Sequence, residues 1–184
     1  TRIVMEGMDE LISKEVGQAL KASINQLPPA NRVIANGFDE DAMDRLLTIA
    51  AAYGTPTIYC TYEFAVKMIP MEAWRYTDSM KEQLWNNGRL PNYKGHQVVI
   101  LEQGFEDETN ETKVIDPGYA WVIPTGADGK PVKIAFEGNT IVDEFNNNGD
   151  RSREIQVYKK VGVVCMLANN ICAYVDTSLV GQMK

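Results

Sequence analysis

The stretch EIQVYKKVGVVCMLANNICAYV, residues 154–175, decides the fold of this chain. Apolar residues alternate with polar ones from Ile155 and then run almost unbroken to Cys165, which is the pattern of a strand with one face against a core. A second apolar run, 171–175, follows Asn169-Asn170, and Asn is a favoured turn residue because it tolerates positive φ. The pattern predicts a long terminal β-hairpin in which these two runs pair.

A long helix is predicted at the front of the chain, over residues 4–25. Its apolar residues recur at helical spacing, and acidic side chains near its start suit the positive end of the helix dipole. Pro28-Pro29 ends it. At 1.5 Å per residue this helix would be about 30 Å long, which suits the spine of a small domain.

A mixed α/β block, residues 32–145, separates the front helix from the terminal hairpin. Strand, helix and strand over 32–60 resemble a βαβ unit, and Asp39 is placed to cap the helix. A further helix is predicted over 73–84. Trp74, Trp85 and Trp121 are interpreted as core anchors.

Turn residues divide the second half of the block. Asp128-Gly129 predicts a hairpin that joins strand 119–124 to strand 132–136, and Gly138-Asn139 predicts another turn. Residues 102–111 carry five carboxylates, which indicates a solvated and mobile loop.

Length and composition limit the class of protein. A chain of 184 residues forms one domain, or two small ones that share a sheet, and 45% hydrophobic and 23% charged residues are ordinary for a folded soluble protein. No stretch is long and apolar enough to cross a bilayer, and no signal peptide is visible. The net charge of −7 argues against a protein that grips nucleic acid over its whole surface.

Residues that could carry chemistry are few. The single histidine, His96, could act as a base, but no Ser or Cys nucleophile is marked by its local sequence. Three cysteines without a CxxC motif fit a reducing compartment. Cys165 and Cys172 could face each other across the hairpin, although small buried apolar residues are the favoured interpretation. We therefore expect no catalytic residue, no cofactor and no metal site.

The order of these elements and several local sequences resemble the major capsid proteins of tailed bacteriophages. In that family a basic strand leads into a Gly-Val-apolar run, a short polar turn and a final strand. The matching pieces here are Lys159-Lys160, Val161-Gly162-Val163-Val164, Ala168-Asn169-Asn170 and Ile171-Cys172-Ala173-Tyr174. Tyr53-Gly54-Thr55-Pro56-Thr57-Ile58 and Tyr119-Ala120-Trp121-Val122-Ile123-Pro124 also resemble strands of the family's axial domain.

The resemblance implies an α+β phage major capsid fold with a long spine helix, an axial α/β domain and a peripheral β-hairpin. Residues 1–30 and 151–184 would form the peripheral domain, and residues 31–150 the axial domain. The family normally has an N-terminal arm and a long β-hairpin loop before the spine helix, and neither fits in the three residues before Val4. We therefore expect an N-terminally truncated chain that is a monomer or small oligomer in solution.

The function that the resemblance implies is structural and not enzymatic: a subunit of a phage or prophage icosahedral shell. Its partners would be other copies of itself, as pentamers and hexamers in the intact protein, together with scaffold or portal proteins. Packaged DNA would be enclosed without specific binding, and no membrane would be involved. The subunit would assemble in the host bacterial cytoplasm and reside in the virion capsid.

Three alternatives stay open from the sequence. An encapsulin-like compartment protein would need a cargo-docking site. A small cytoplasmic α/β enzyme using His96 predicts a deep polar pocket beside that residue. A binding module would use the edge of the terminal hairpin. Two surfaces are candidate contacts in a shell: Trp74/Tyr76 between subunits, and the acidic loop 102–111 at an exposed or axial rim.

Overall fold

A computed structural model describes residues 2–70, 76–89, 91–126, 130–146, 149 and 153–180 of the chain. The helices are α1 (Arg2–Ser23), α2 (Glu40–Ala51), α3 (Tyr62–Lys67) and α4 (Asp78–Asn87). The strands are β1 (Arg32–Ala35), β2 (Thr55–Cys60), β3 (Asn92–Tyr93), β4 (His96–Ile100), β5 (Tyr119–Thr125), β6 (Val132–Asn146), β7 (Arg153–Cys165) and β8 (Cys172–Asp176). Trp74 and the Asp128-Gly129 turn lie outside the described residues.

The predicted front helix is confirmed as α1, and Asp39 caps α2 as predicted. The Asp39 carboxylate accepts hydrogen bonds from the backbone amides two and three residues later, Asp41 N and Ala42 N. Strands β1 and β2, which flank α2, run parallel, but β8 and β5 lie between them. The two strands of the predicted βαβ unit are therefore parallel but not adjacent, because two other strands lie between them in the sheet.

A six-stranded mixed sheet in the order β1-β8-β5-β2-β4-β3 forms the centre of the molecule. One face packs against α2 and α3 through buried residues that include Met43, Leu46, Phe64 and Tyr174. The other face packs against the end of α1, where the buried residues are Leu20, Ile24, Leu27, Trp121, Ile171, Ala173 and Val175. Strand β8 is buried on both faces, which explains its unbroken apolar sequence.

The predicted terminal hairpin is wrong in its pairing. Strand β7 pairs antiparallel with β6 in a separate two-stranded sheet, whereas β8 lies between β1 and β5 in the central sheet. Leu167, at φ 54°, and the 3-10 turn Ala168–Asn170 redirect the chain from one sheet to the other. The two apolar runs also differ in burial: β7 is partly exposed in the two-stranded sheet, whereas β8 is buried in the central sheet.

Two other turn predictions fail for related reasons. Strand β5 pairs with β2 and β8, and not with β6, so no hairpin joins the strands on either side of Asp128-Gly129. Gly138-Asn139 does not end a strand, because β6 continues through it with a register shift between Glu137 and Ile141. Gly138 has φ 73°, the conformation that lets glycine absorb extra residues in a bulge.

The long hairpin of the structure consists of β6 and β7, and the predicted domain boundary at residues 150 and 151 lies between these two strands. Strand β8, assigned from the sequence to the peripheral part, belongs to the central sheet. The division of the chain into an axial and a peripheral domain stays a prediction.

Close approach of two backbones makes one glycine necessary. A Cβ at Gly118 would lie 2.3 Å from Val180 Cγ2 and 2.9 Å from the backbone oxygen of Asp176. Gly118→Ala is expected to lower the free energy of unfolding by about 1–3 kcal/mol, because a backbone oxygen cannot rotate away. Urea unfolding measures this. Gly162→Ala is the matched control, since a Cβ there meets nothing within 4 Å. Equal losses in both variants would contradict the prediction.

Candidate assembly surfaces

The β6–β7 ribbon, which we call the arm, has two distinct faces that its register defines. Residues paired across the ribbon share a face, and alternate pairs point to opposite sides. The inner face includes Val132 and Cys165, which pack against the buried cluster that contains Leu20 of α1 and Trp121 of β5. The outer face carries the other set: Lys133, Ala135, Glu137, Ile141, Asp143, Phe145, Gln156, Tyr158, Lys160, Gly162 and Val164.

Large apolar side chains are exposed along the outer face. Ile141 is 58% exposed, Phe145 52%, Tyr158 51% and Val164 49%. A row of this kind is uncommon on a monomer that has no partner, because each side chain would gain by leaving water. Apolar residues of the opposite face are exposed to a similar degree, with Ile134 at 44%, Phe136 at 52% and Val142 at 51%, so both faces of the arm are candidate contact surfaces.

Helix α4 is a second candidate. Its ends are capped, by the Thr77 hydroxyl at the start and by Gly88 in the left-handed conformation at the end, but none of its ten residues, all described, is buried. Trp85 is 90% exposed, so its interpretation as a core anchor is wrong, whereas Trp121 is buried as predicted. An exposed Trp is a frequent anchor of protein interfaces.

An open groove of about 1170 Å³ lies beneath α1. Its apolar lining includes Val16 and Leu20 of α1, Tyr119 and Trp121 of β5, and Val132 at the base of the arm. Ion pairs close part of its rim, one between Lys14 and Glu106 and another between Lys21 and Asp116 at 2.9 Å.

The rim pairs connect α1 to the acidic loop, through Glu106, and to the segment after it, through Asp116. Burial alone would lower the pKa of Lys21, but its hydrogen bond to Asp116 outweighs that effect and raises the pKa. The positive charge is therefore held, and it also lies 4.8 Å from the centre of the Tyr119 ring. These contacts fix the side of α1 against the loop.

The acidic loop has a defined structure of its own. Asp107 accepts hydrogen bonds from the backbone amides of Glu111 and Thr112, both at 2.9 Å, and Gln103 both donates to and accepts from Ile115. The hydrogen bonds from Thr112 lower the pKa of the Asp107 carboxyl. Lys113 pairs with Glu63 of α3 at 2.7 Å. The loop and the residues directly after it are thus joined by ion pairs to α1 and α3, which the sequence did not indicate.

A buried carboxylate fixes the end of β8. Asp176 accepts hydrogen bonds from the amides of Gly37 and Ser178, each at 2.8 Å, and from Lys67 at 3.3 Å. The neighbouring Tyr174 hydroxyl donates to Gly37 O at 2.9 Å and accepts from Asp39 N at 2.7 Å. These bonds join the carboxyl end of β8 to the turn that starts α2.

The predicted catalytic candidate His96 lies away from the groove beneath α1. His96 is half-buried at the start of β4, opposite Tyr93 of β3, and is not among the residues that line the groove. Within the described ranges, no three His, Cys, Asp or Glu side chains converge to hold a metal ion. In the same part of the chain, no helix combines the length and hydrophobicity of a membrane span.

The three cysteines are free thiols. Burial raises the pKa of Cys60 and of Cys172 to about 12, so both are poor nucleophiles at neutral pH. Cys165 and Cys172 do not face each other across a hairpin, because they belong to different sheets.

Comparison with protein families identifies the chain. A family model described as "SPbeta prophage-derived putative capsid protein YonB" matches residues 2–176. The chain belongs to this family. A spine helix, a central sheet and a long ribbon thus form the fold of a YonB-family protein. A search of curated proteins found no match.

Solved structures show that the YonB-family chain shares its fold with an encapsulin, a phage-related protein and a mycobacteriophage chain. The SrpI encapsulin of Synechococcus elongatus PCC 7942 superposes with a TM-score of 0.62 at 13% identity, over 100% of this chain and 66% of that one. A phage-related protein of Bordetella bronchiseptica RB50 gives 0.66 at 14% identity, over 97% and 64%.

A chain from Mycobacterium phage Che8 gives a TM-score of 0.57 at 9% identity, over 94% of this chain and 59% of that one. The YonB-family chain thus spans about two thirds or less of the length of these relatives. The predicted α+β capsid fold is confirmed. These comparisons do not favour the encapsulin alternative over a phage or prophage capsid protein.

Proposed function

We propose that this protein is a structural subunit of a phage or prophage icosahedral capsid shell, without enzymatic activity. The observation that carries the proposal is the exposed apolar outer face of the arm, in a chain of a capsid family. A shell subunit makes many modest contacts, and repetition supplies the stability of the whole. Side chains that stay half in water in one copy become buried in the assembly.

The partners in this proposal are other copies of the chain. The central sheet corresponds to the axial domain, which would meet its copies as pentamers and hexamers, while α1 and the arm form the peripheral part. Scaffold or portal proteins are further partners. The net charge of −7 suits a wall that encloses DNA without specific binding. Assembly takes place in the host bacterial cytoplasm, and the final location is the virion.

Self-association is the direct test of this function. Light scattering coupled to size exclusion is expected to show a monomer or small oligomer in dilute solution and a mean mass that rises with protein concentration, because each contact is weak alone. His96→Ala serves as a control, since that residue has no part in the proposed contacts, and its mass profile should match the parent. A mass that stays at one chain over the whole concentration range, in low and high salt alike, would contradict the proposal.

A further inference from the structure

The central sheet has two edge strands, and they differ in how well they are protected against another strand. Strand β3 forms one edge with only two residues, and Lys94, in the left-handed conformation at φ 47°, follows it directly. A short strand and a lysine are two devices by which proteins protect a sheet edge. Strand β1 forms the other edge with four residues, and it contains no proline, glycine or lysine. The β1 edge is therefore the better template for an additional strand.

The pairing with β8 shows which backbone groups of β1 point away from the sheet. The carbonyl oxygen of Ala35 accepts a hydrogen bond at 2.8 Å from the amide of Thr177, directly after β8. Along a strand, the N–H and C=O groups of successive residues point alternately to its two sides. Ala35 and Val33 therefore bond to β8. Ile34 and Arg32 direct their N–H and C=O groups to the open side of β1.

The outward groups of β1 are unpaired in the part of the chain that the structure describes. There, neither the amide nor the carbonyl of Ile34 forms a hydrogen bond, and Arg32 forms no ion pair. Ile34 is 63% exposed, whereas Val33, on the opposite face of the strand, packs into the core. Side chains two residues apart share a face, so the Arg32 guanidinium and the Ile34 side chain lie side by side. The edge thus offers backbone donors and acceptors, one cation and one apolar side chain.

We propose that the β1 edge binds an extended segment of a partner protein, which adds a seventh strand to the six-stranded sheet. The segment hydrogen-bonds to the backbone of Arg32 and Ile34. It carries a carboxylate beside Arg32 and, two residues away, an apolar side chain beside Ile34. Neighbouring strands lie about 4.8 Å apart, so such pairs of side chains are in contact. The inference goes beyond the shell function, because it gives this edge a partner other than the shell contacts.

Charge complementarity favours a partner segment over the β1 edge of a second copy. Two β1 strands related by a twofold axis would run antiparallel, with Arg32 of each copy opposite Ile34 of the other. That pairing places two arginines on a short ribbon, and β1 has no acidic residue to neutralise them. A carboxylate from a different segment instead gives Arg32 a charge-assisted hydrogen bond.

Labelled peptides test the charge preference in dilute solution. The probe is a short acetylated peptide that alternates threonine and valine, with glutamate in place of one central valine. Its fluorescence anisotropy is followed as the protein is added. A matched peptide with lysine at that position should bind about tenfold more weakly, because it brings like charges together. Arg32→Glu should reverse this preference. Arg45→Glu, with the same charge change at an exposed residue of α2, should keep it.

The backbone hydrogen bonds are tested separately from the side chains. Ile34→Pro removes an N–H that faces the open edge and not β8, a position at which a strand tolerates proline. Peptide binding should fall about tenfold or more, and urea unfolding checks that the variant is folded. Ile34→Thr keeps the N–H and should bind within about threefold of the parent.

N-methylation of the peptide gives a test that leaves the protein unchanged. Only every second peptide amide faces β1, so methyl groups on one alternate set of nitrogens should abolish binding, and methyl groups on the other set should not. Equal effects of the two sets, equal binding of the glutamate and lysine peptides, or no binding of either peptide would overturn the inference.

The self-association of the protein distinguishes this inference from the proposed function. If Ile34→Pro lowers the mean mass measured by light scattering, the β1 edge binds a second copy and the inference is wrong. The shell function stands in each of these cases, because it depends on association between copies and not on peptide binding. A parent protein that binds the glutamate peptide but never self-associates would support the inference and contradict the shell function.

Discussion

Phe64→Ala is expected to lower the free energy of unfolding by about 3–5 kcal/mol. Phe64 is fully buried, and its ring lies edge-on to Tyr174 at 5.6 Å and to Phe38 at 6.2 Å between centroids. Its removal leaves a cavity between α3 and the central sheet that these rigid rings cannot fill.

Urea unfolding followed by circular dichroism measures this loss. Phe145→Ala is the matched control, because it makes the same chemical change at an arm residue that is 52% exposed. That variant should unfold within about 0.5 kcal/mol of the parent. If both variants lost the same stability, α3 would not be part of the core.

Asp176→Ala is expected to lower the free energy of unfolding by about 2–4 kcal/mol. The substitution leaves the partly buried amide hydrogen bonds of Gly37 and Ser178 without their acceptor. It also removes the partner of Lys67, whose side chain is 35% exposed and can rehydrate, so the loss stays below that of a fully buried pair. Asp78→Ala, at the fully exposed carboxylate of an i,i+3 pair, is the control and should change little.

The pH dependence of stability gives an independent readout of the same group. Burial alone would raise the pKa of Asp176, but hydrogen bonds from Ser178, Gly37 and Lys67 outweigh it and lower the pKa. A depressed folded pKa means that the stabilisation is present above the unfolded value, about 3.9, and is lost as the pH falls through the folded pKa. Asp176→Asn should therefore show a flatter loss of stability below about pH 4 than the parent; identical acid profiles would contradict this assignment.

Local sequence predicted the elements of the fold better than their partners. The spacing of apolar residues found α1, and the carboxylate at Asp39 found the start of α2, because both signals depend on near neighbours in the chain. Asn169-Asn170 also lies in a turn, as predicted, but a turn signal does not indicate which strands the following strand, β8, pairs with. Burial of β8 on both faces was the missed signal, since an all-apolar strand belongs inside a sheet.

The contact surfaces were the least predictable part. Apolar residues of β6, such as Ile141 and Phe145, look like core residues in sequence, and they are exposed because β6 and β7 form a ribbon separate from the central sheet. Trp85 was misread for the same reason, because an apolar residue on a helix is more often buried than not. The acidic loop appeared mobile, since the pairs Lys14–Glu106 and Lys113–Glu63 join residues far apart in the sequence.

The central claim is that this chain builds a closed shell from its own copies. Electron cryomicroscopy of particles formed by the complete coding sequence tests it most directly. The account predicts an icosahedral particle in which central sheets surround the fivefold and sixfold positions and the outer faces of the arms are covered by neighbouring copies. Particles in which the arm's outer face remains open to solvent, or preparations that contain only isolated chains, would contradict it.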